Sequence, residues 1–247
     1  MNINMSGQAP ETARPAEAAS ASPLRSAWLI AGGPGSGPGD MERWCRTALG
    51  ACAAASPKVA YIGTASGDSK PFFGFIRRAI LKAGAGEVRL LPLASKKADA
   101  AAARGYLEDC DAVFITGGEV WDGMYWLDFH GLTGFLRELF AAGKLFFGMS
   151  AGSIMMGQHW VKWEKEDDDS TASLFDCLGL VPHTFDTHAE DEDWKELKCG
   201  LRLMGDGAEG HGIPSGGMLR ADSAGGIYAI EKQPLLFRSR GGTIVKV

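Results

Sequence analysis

The sequence predicts a doubly wound α/β fold, a mostly parallel β-sheet with helices on both faces. Short apolar runs such as AWLIAGG, KVAYIG and DAVFITGG are continuous rather than alternating, the pattern of strands buried on both sides. Longer stretches with apolar residues at helical spacing separate them, as parallel connections require. The 247 residues are 45% hydrophobic, enough to fill one large core.

The first 24 residues are biased to Ala, Pro, Ser and Glu and supply no core, so residues 1–24 are expected to be a disordered tail. They lack the basic and apolar regions of a signal peptide. Residues 25–247 are then a single domain. Ala27–Gly33 is a buried strand running into the glycine-rich loop GGPGSGPGD, and a helix follows from about Asp40, a plausible N-cap, to Ala55. Lys58–Ser66 is a second strand, and PFFGFIRRAILKAG is a helix stopped by glycine. Glu87–Leu93 is a third strand, followed by an alanine-rich helix around Lys97–Arg104. Asp111–Gly118 is a fourth strand ending in a glycine pair; helical patterns near Trp121–Phe129 and Leu132–Ala142 lead into a fifth, Lys144–Ser150. Past about residue 175 the rhythm shortens, with LGLVPHTFDTH, GIPSGGML, GGIYAI and TIVKV as strands and one helix near Asp193–Leu203 closing the same domain. Ligands are expected at the carboxyl ends of the parallel strands.

Composition removes several functional classes. A formal net charge of −5, with no Lys/Arg cluster, gives no pull toward nucleic acid or anionic membrane. No apolar stretch approaches the ~20 residues of a membrane span. The five cysteines (Cys45, Cys52, Cys110, Cys177, Cys199) form an odd set without a CxxC pair, against a disulfide framework or a zinc site. A reducing, cytoplasmic setting is expected, with no metal and no cofactor.

The chemistry is concentrated in Gly148-Met149-Ser150-Ala151-Gly152, a G-x-S-x-G placed between a strand and a helical pattern. A chain that reverses this sharply needs glycines where side chains would meet neighbouring backbone. Ser150 is thereby lifted above the sheet, where helix N–H groups favour developing negative charge. The upstream Thr116-Gly117-Gly118-Glu119 ends a neighbouring strand, so the N–H groups of Gly118 and Ala151 are candidate oxyanion donors. A serine hydroxyl needs a base, usually histidine. His130, at a helix boundary, reads as a surface residue, and His159 as lying near the end of the helix after the nucleophile. His183 and His188 both fall in the strand-like VPHTFDTH; five apart, they point to opposite faces of an unbroken strand. His188 comes where active-site loops begin and is the expected base. The acidic third member stays open among Glu164, Glu166 and Asp186. The aromatics Trp121, Tyr125, Trp126, Trp160 and Trp163 could line a specificity pocket, although helical spacing favours core packing for most of them.

In this order and spacing, GMSAGS after a strand, TGG upstream and a histidine in LGLVPHTFDTH resemble the dipeptidase E and cyanophycinase family of serine peptidases. The likeness spans most of residues 27–230, including YIGTAS and GHGIPSGGML. It implies a class I glutamine amidotransferase-like, or flavodoxin-like, fold with serine at the elbow. Ser150 would be the nucleophile, His188 the base, and Gly118 and Ala151 the oxyanion donors. The family's acidic partner falls about fifteen residues after the nucleophile, which is Lys165 here; Glu164, after the apolar HWVKW and so inward-facing, is the choice. The implied substrate is a short peptide, aspartyl peptides among the candidates, handled by a monomer or homodimer. Two alternatives stay open, an esterase of the α/β-hydrolase type and a non-catalytic or regulatory relative that keeps the fold and binds a ligand.

Overall fold

The computed structural model describes residues 25–165 and 168–247. The expected tail of residues 1–24 and the candidate acid Glu166 therefore lie outside the described residues.

In chain order the elements are β1 (Ser26–Ile30), α1 (Pro38–Leu49), β2 (Lys58–Ile62), α2 (Lys70–Lys82), β3 (Glu87–Leu91), α3 (Ala100–Asp109) and β4 (Ala112–Ile115). Next come α4 (Val120–Phe129), α5 (Thr133–Ala141), β5 (Leu145–Met149), the short α6 (Ala151–Met155), β6 (His159–Trp163), β7 (Ala172–Asp176) and β8 (Thr184–Thr187). The chain closes with α7 (Lys195–Met204), β9 (Glu209–Ile213), β10 (Met218–Asp222), β11 (Ile227–Glu231), β12 (Leu235–Arg240) and β13 (Thr243–Lys246).

The main sheet has the order β11-β10-β1-β5-β4-β2-β3, so β5, which leads into Ser150, is its central strand. Strands β1, β5, β4, β2 and β3 run parallel, as expected from their continuous apolar runs; β10 and β11 extend the β1 side antiparallel. Alternate strand residues supply the two cores. Leu29, Ile62, Ile115 and Phe146 pack with residues of α3, α4, α5 and α6 on one face, while Ile30, Tyr61, Phe114 and Phe147 pack with α1 and α2 on the other. The doubly wound reading of the sequence therefore holds.

Differences are local, except in the last third. The first helix is capped by Gly37, not Asp40; Asp40 sits at the third helical position and its Oδ2 accepts the Gly37 N–H at 2.9 Å. Pro38 fits the first turn because its missing N–H would have had no intrahelical partner, and the helix stops at Leu49 rather than Ala55. His159 does not end a helix. It opens β6, which pairs antiparallel with β7, because α6 is only five residues long. The late strands divide: β10 and β11 join the main sheet, whereas β8, β9, β12 and β13 form a second, four-stranded sheet. On that sheet α7 packs a small core of Trp194, Leu197, Leu201 and Phe237. Strand β8 covers only Thr184–Thr187, so His183 and His188 flank it instead of lying within it.

Candidate active site

The turn between β5 and α6 shows what each glycine is for. Ser150 has φ 52° and ψ −124°, a region that side chains other than glycine rarely occupy. A Cβ on Gly152 would sit 2.1 Å from the Ile115 carbonyl oxygen, and one on Gly148 would sit 2.8 Å from the Gly152 backbone. Only glycine lets the helix start this close to β4. The Ser150 N–H donates to Ile30 O at 2.9 Å, tying the turn to β1.

Ser153 is a further tether that the sequence reading did not single out. Fully buried, its hydroxyl accepts the Ile30 N–H at 3.0 Å and reaches the Ile30 and Gly148 carbonyl oxygens, each at 2.9 Å. Ser153→Ala leaves these groups short of a partner and is expected to lower unfolding free energy by about 1–3 kcal/mol in a urea titration.

Ser150 Oγ lies 2.7 Å from His188 Nε2, hydrogen-bond distance for a hydroxyl and the base that would take its proton. The histidine arrives from the other sheet. Its N–H donates to Ile213 O at 2.9 Å, its φ is 46°, and Gly33 backs it so closely that a Cβ there would be 2.6 Å from His188 Cβ. The glycine-rich loop after β1 thus seats the histidine, a role its composition did not disclose.

The other histidines are engaged elsewhere. His130 Nε2 reaches the Leu93 and Ser95 carbonyls at 2.9 and 3.1 Å, so it is a half-buried helix end rather than a free surface residue. His159 Nδ1 is 3.0 Å from Asp176, and His183 donates from Nε2 to Gly225 O at 2.9 Å. His211, on β9, is held down to a pKa of about 4 by burial, with His183 adding to the shift.

The glycine pair lies beside the serine. A Cβ on Gly117 would be 3.1 Å from Ser150 Cβ; Gly118, at φ 138°, leaves room for no Cβ at all, since one would lie 1.9 Å from Ala65 O. The Glu119 N–H donates to that same oxygen at 2.8 Å, and buried Thr116 accepts the Tyr61 hydroxyl at 2.8 Å, so the loop is pinned at both ends. Among the described residues neither the Gly118 nor the Ala151 N–H donates to a backbone carbonyl.

The acidic candidates fare differently. Glu164 is exposed on the rim of the same cleft rather than facing inward, and it makes no hydrogen bond to His188. Its position just past the last residue of β6, beside exposed Lys165, accounts for the difference. Asp186 is only 3% exposed; its Oδ1 accepts the Thr187 N–H at 2.7 Å and its Oδ2 has no partner among the described residues. No described side chain hydrogen-bonds to His188 Nδ1, so what the structure brings together is a serine–histidine pair.

These residues line one cleft of about 660 Å³ with Trp121, Trp160 and Trp163 in its walls. Trp160 is buried as core packing would have it, but Trp121 is 40% exposed, with the Lys162 ammonium 3.5 Å from its ring centre. Burial drives the Asp186 carboxyl up to about 8, with Glu196 and Glu192 adding to it; burial and the charges of Glu192 and Glu119 drive Glu196 up to about 7. Between an ordinary aspartate pKa and about 8 the folded chain holds a proton on Asp186 that the unfolded chain has released. Stability is therefore greatest below that window and falls as pH rises through it. Thermal melts between pH 5 and pH 8.5 should show wild type losing at least about 1 kcal/mol relative to Asp186→Asn, which has no such proton to lose.

Among the described residues no helix is long and apolar enough to cross a membrane, no group of three metal-ligating side chains converges, and all five cysteines are unpaired.

Comparison with known proteins bears on the family and the fold. The model of peptidase family S51 matches residues 28–223. A cyanophycinase from Trichormus variabilis and one from Nostoc sp. are each 28% identical over 142 residues, covering 56% of this chain and 48% of the relative. The chain thus matches about half the length of these curated relatives. A crystal structure of a peptidase from an acI-B1 Actinobacterium superposes with a TM-score of 0.67 at 15% identity, covering 92% of this chain and 95% of that one. A candidate peptidase E from Listeria monocytogenes gives 0.63 at 17% identity, covering 85% of this chain and 100% of that one. At these identities the structural likeness speaks for the fold alone.

Proposed function

The chain belongs to peptidase family S51, and from that premise we propose that it is a serine peptidase hydrolysing short peptides through an acyl-enzyme on Ser150. The observation that carries the proposal is the 2.7 Å contact between Ser150 Oγ and His188 Nε2 at a strained strand-to-helix turn. Neutral His188 with its proton on Nδ1 accepts the Ser150 proton at Nε2 as the oxygen attacks the peptide carbonyl carbon. The carbonyl π electrons move to oxygen, and the Gly118 and Ala151 N–H groups stabilise the resulting oxyanion. Collapse re-forms the carbonyl and breaks the C–N bond, and the imidazolium gives its proton to the departing amine. A water deprotonated by His188 then attacks the ester; the second tetrahedral intermediate collapses to a carboxylic acid as the imidazolium returns its proton to Ser150, and the acid ionises by releasing its proton to solvent.

The acidic partner expected on Glu164 has no part in this scheme, since the structure does not bring that residue to His188. The esterase and the non-catalytic readings lose ground to the family match, and the non-catalytic one also to the serine–histidine contact. Aspartyl peptides belong in the substrate panel on the strength of the family resemblance.

The test is labelling by a fluorophosphonate probe followed by intact mass. Wild type should gain one adduct, and Ser150→Ala and His188→Ala none. Folded wild-type protein that stays unlabelled would remove the peptidase reading.

A further inference from the structure

The aromatic residues of α4 do not all serve the core. Val120, Met124 and Leu127 are buried, whereas Trp121, Tyr125 and Phe129, spaced four residues apart along another face, are 40%, 41% and 48% exposed. Their rings are held in place. Trp121 meets Phe175 edge-on at 5.2 Å and carries the Lys162 ammonium, while half-buried Trp126 packs against Tyr125 at 5.1 Å and Phe129 at 5.8 Å. The stripe starts in the catalytic cleft, because Trp121 lines that cleft together with Ser150 and His188. Serine chemistry makes no use of Tyr125 or Phe129. Many monomers expose an apolar patch of this order, so its size alone decides nothing; its opening into the cleft does.

We propose that this face of α4 is a shelf for the substrate, on which Trp121, Tyr125 and Phe129 receive apolar side chains from alternate positions of an extended peptide whose scissile bond lies at Ser150. The proposal rests on the peptidase reading of the same cleft. It narrows the substrate class to peptides that continue for about four residues or more on one side of that bond. Spacing supports it. Ring-bearing residues four apart on a helix stand about 6 Å apart along its axis, and side chains on one face of an extended strand repeat about every 6.6–7 Å. Three successive rings can therefore meet three alternate side chains. Area decides between occupants. With aromatic side chains of about 150–250 Å² each, the three rings expose roughly 300 Å². A stable protein–protein interface takes about 800 Å² from each partner, so a second copy of this chain suits the stripe poorly and a single extended peptide suits it well. Rings already fixed by their neighbours lose little freedom when a peptide covers them.

Binding to the Ser150→Ala protein is measured by calorimetry for three acetylated and amidated nine-residue peptides of serine and glutamine. One carries three leucines at alternate positions, the second carries them side by side, and the third has serine in their place. The alternating peptide should bind at least about tenfold tighter than the serine peptide and about threefold tighter than the side-by-side one. Adding Tyr125→Ser and Phe129→Ser should shrink the tenfold ratio to about twofold. Both residues are exposed, so the melting temperature should stay close to that of Ser150→Ala, and Phe129→Ser alone should already lower the ratio. Equal binding of the alternating and side-by-side peptides, equal binding of all three, or a ratio unmoved by the two serines would overturn the shelf. A dimer in sedimentation velocity that the same two serines dissociate would overturn it too, since a second copy would then cover the stripe. Fluorophosphonate labelling keeps the two ideas apart. Labelled Ser150 without a preference for the alternating peptide removes only the shelf, whereas that preference without labelling removes only the serine chemistry.

Discussion

His188→Ala is expected to lower kcat/KM on any peptide the protein cleaves by about 10⁴-fold or more, with little change in melting temperature. The hydroxyl of Ser150 loses the base to which it is hydrogen-bonded, and the other histidines have partners of their own: His130, His159 and His183 are engaged elsewhere, and His211 lies on β9 against His183. In serine hydrolases the nucleophile and base act as one unit, so losing either costs nearly as much as losing both. The double variant with Ser150→Ala should therefore be little slower than either single one. Steady-state rates for the three variants check this. Additive losses would mean that the 2.7 Å contact is not the one the reaction uses.

Gly118→Ala should be nearly as damaging, for a different reason. The new methyl would sit 1.9 Å from Ala65 O on a backbone at φ 138°, and neither the loop nor the turn opposite is a flexible side chain that could swing away. The loop must shift, breaking the Glu119-to-Ala65 hydrogen bond and carrying the Gly118 N–H off the position of the oxyanion. Loss of one such donor typically costs about 100-fold or more in kcat, and the strain should lower stability by roughly 2–4 kcal/mol. The diagnostic is a fall in kcat larger than any rise in KM, together with slower fluorophosphonate labelling. A variant that is destabilised yet labels at the wild-type rate would assign Gly118 a purely structural role.

The fold was legible in the sequence wherever local pattern and burial coincide. The inner parallel strands β1, β2, β4 and β5 are largely apolar runs because both of their faces are covered, whereas β3 at the sheet edge alternates, and the helices between them carry their own spacing signal. Ser150 was equally legible, because the turn that presents it needs glycines at fixed offsets and those glycines are adjacent in the chain. His188 could be chosen only as one of five histidines. Its neighbour Gly33 lies more than 150 residues away, and no local signal links a glycine-rich loop to a distant imidazole.

The sequence by itself determined the layered α/β class, the elbow and the glycine pair, since each depends on residues within one turn or one strand. Only the tertiary structure decided that β8 stops short of both histidines, that Glu164 stays on the rim, and that Asp186 is buried with a free oxygen beside Glu192 and Glu196. Those outcomes depend on which sheet the late strands join. The physical reason is that short strands in the last third carry too little periodicity to name their partners, so packing between distant segments makes the choice.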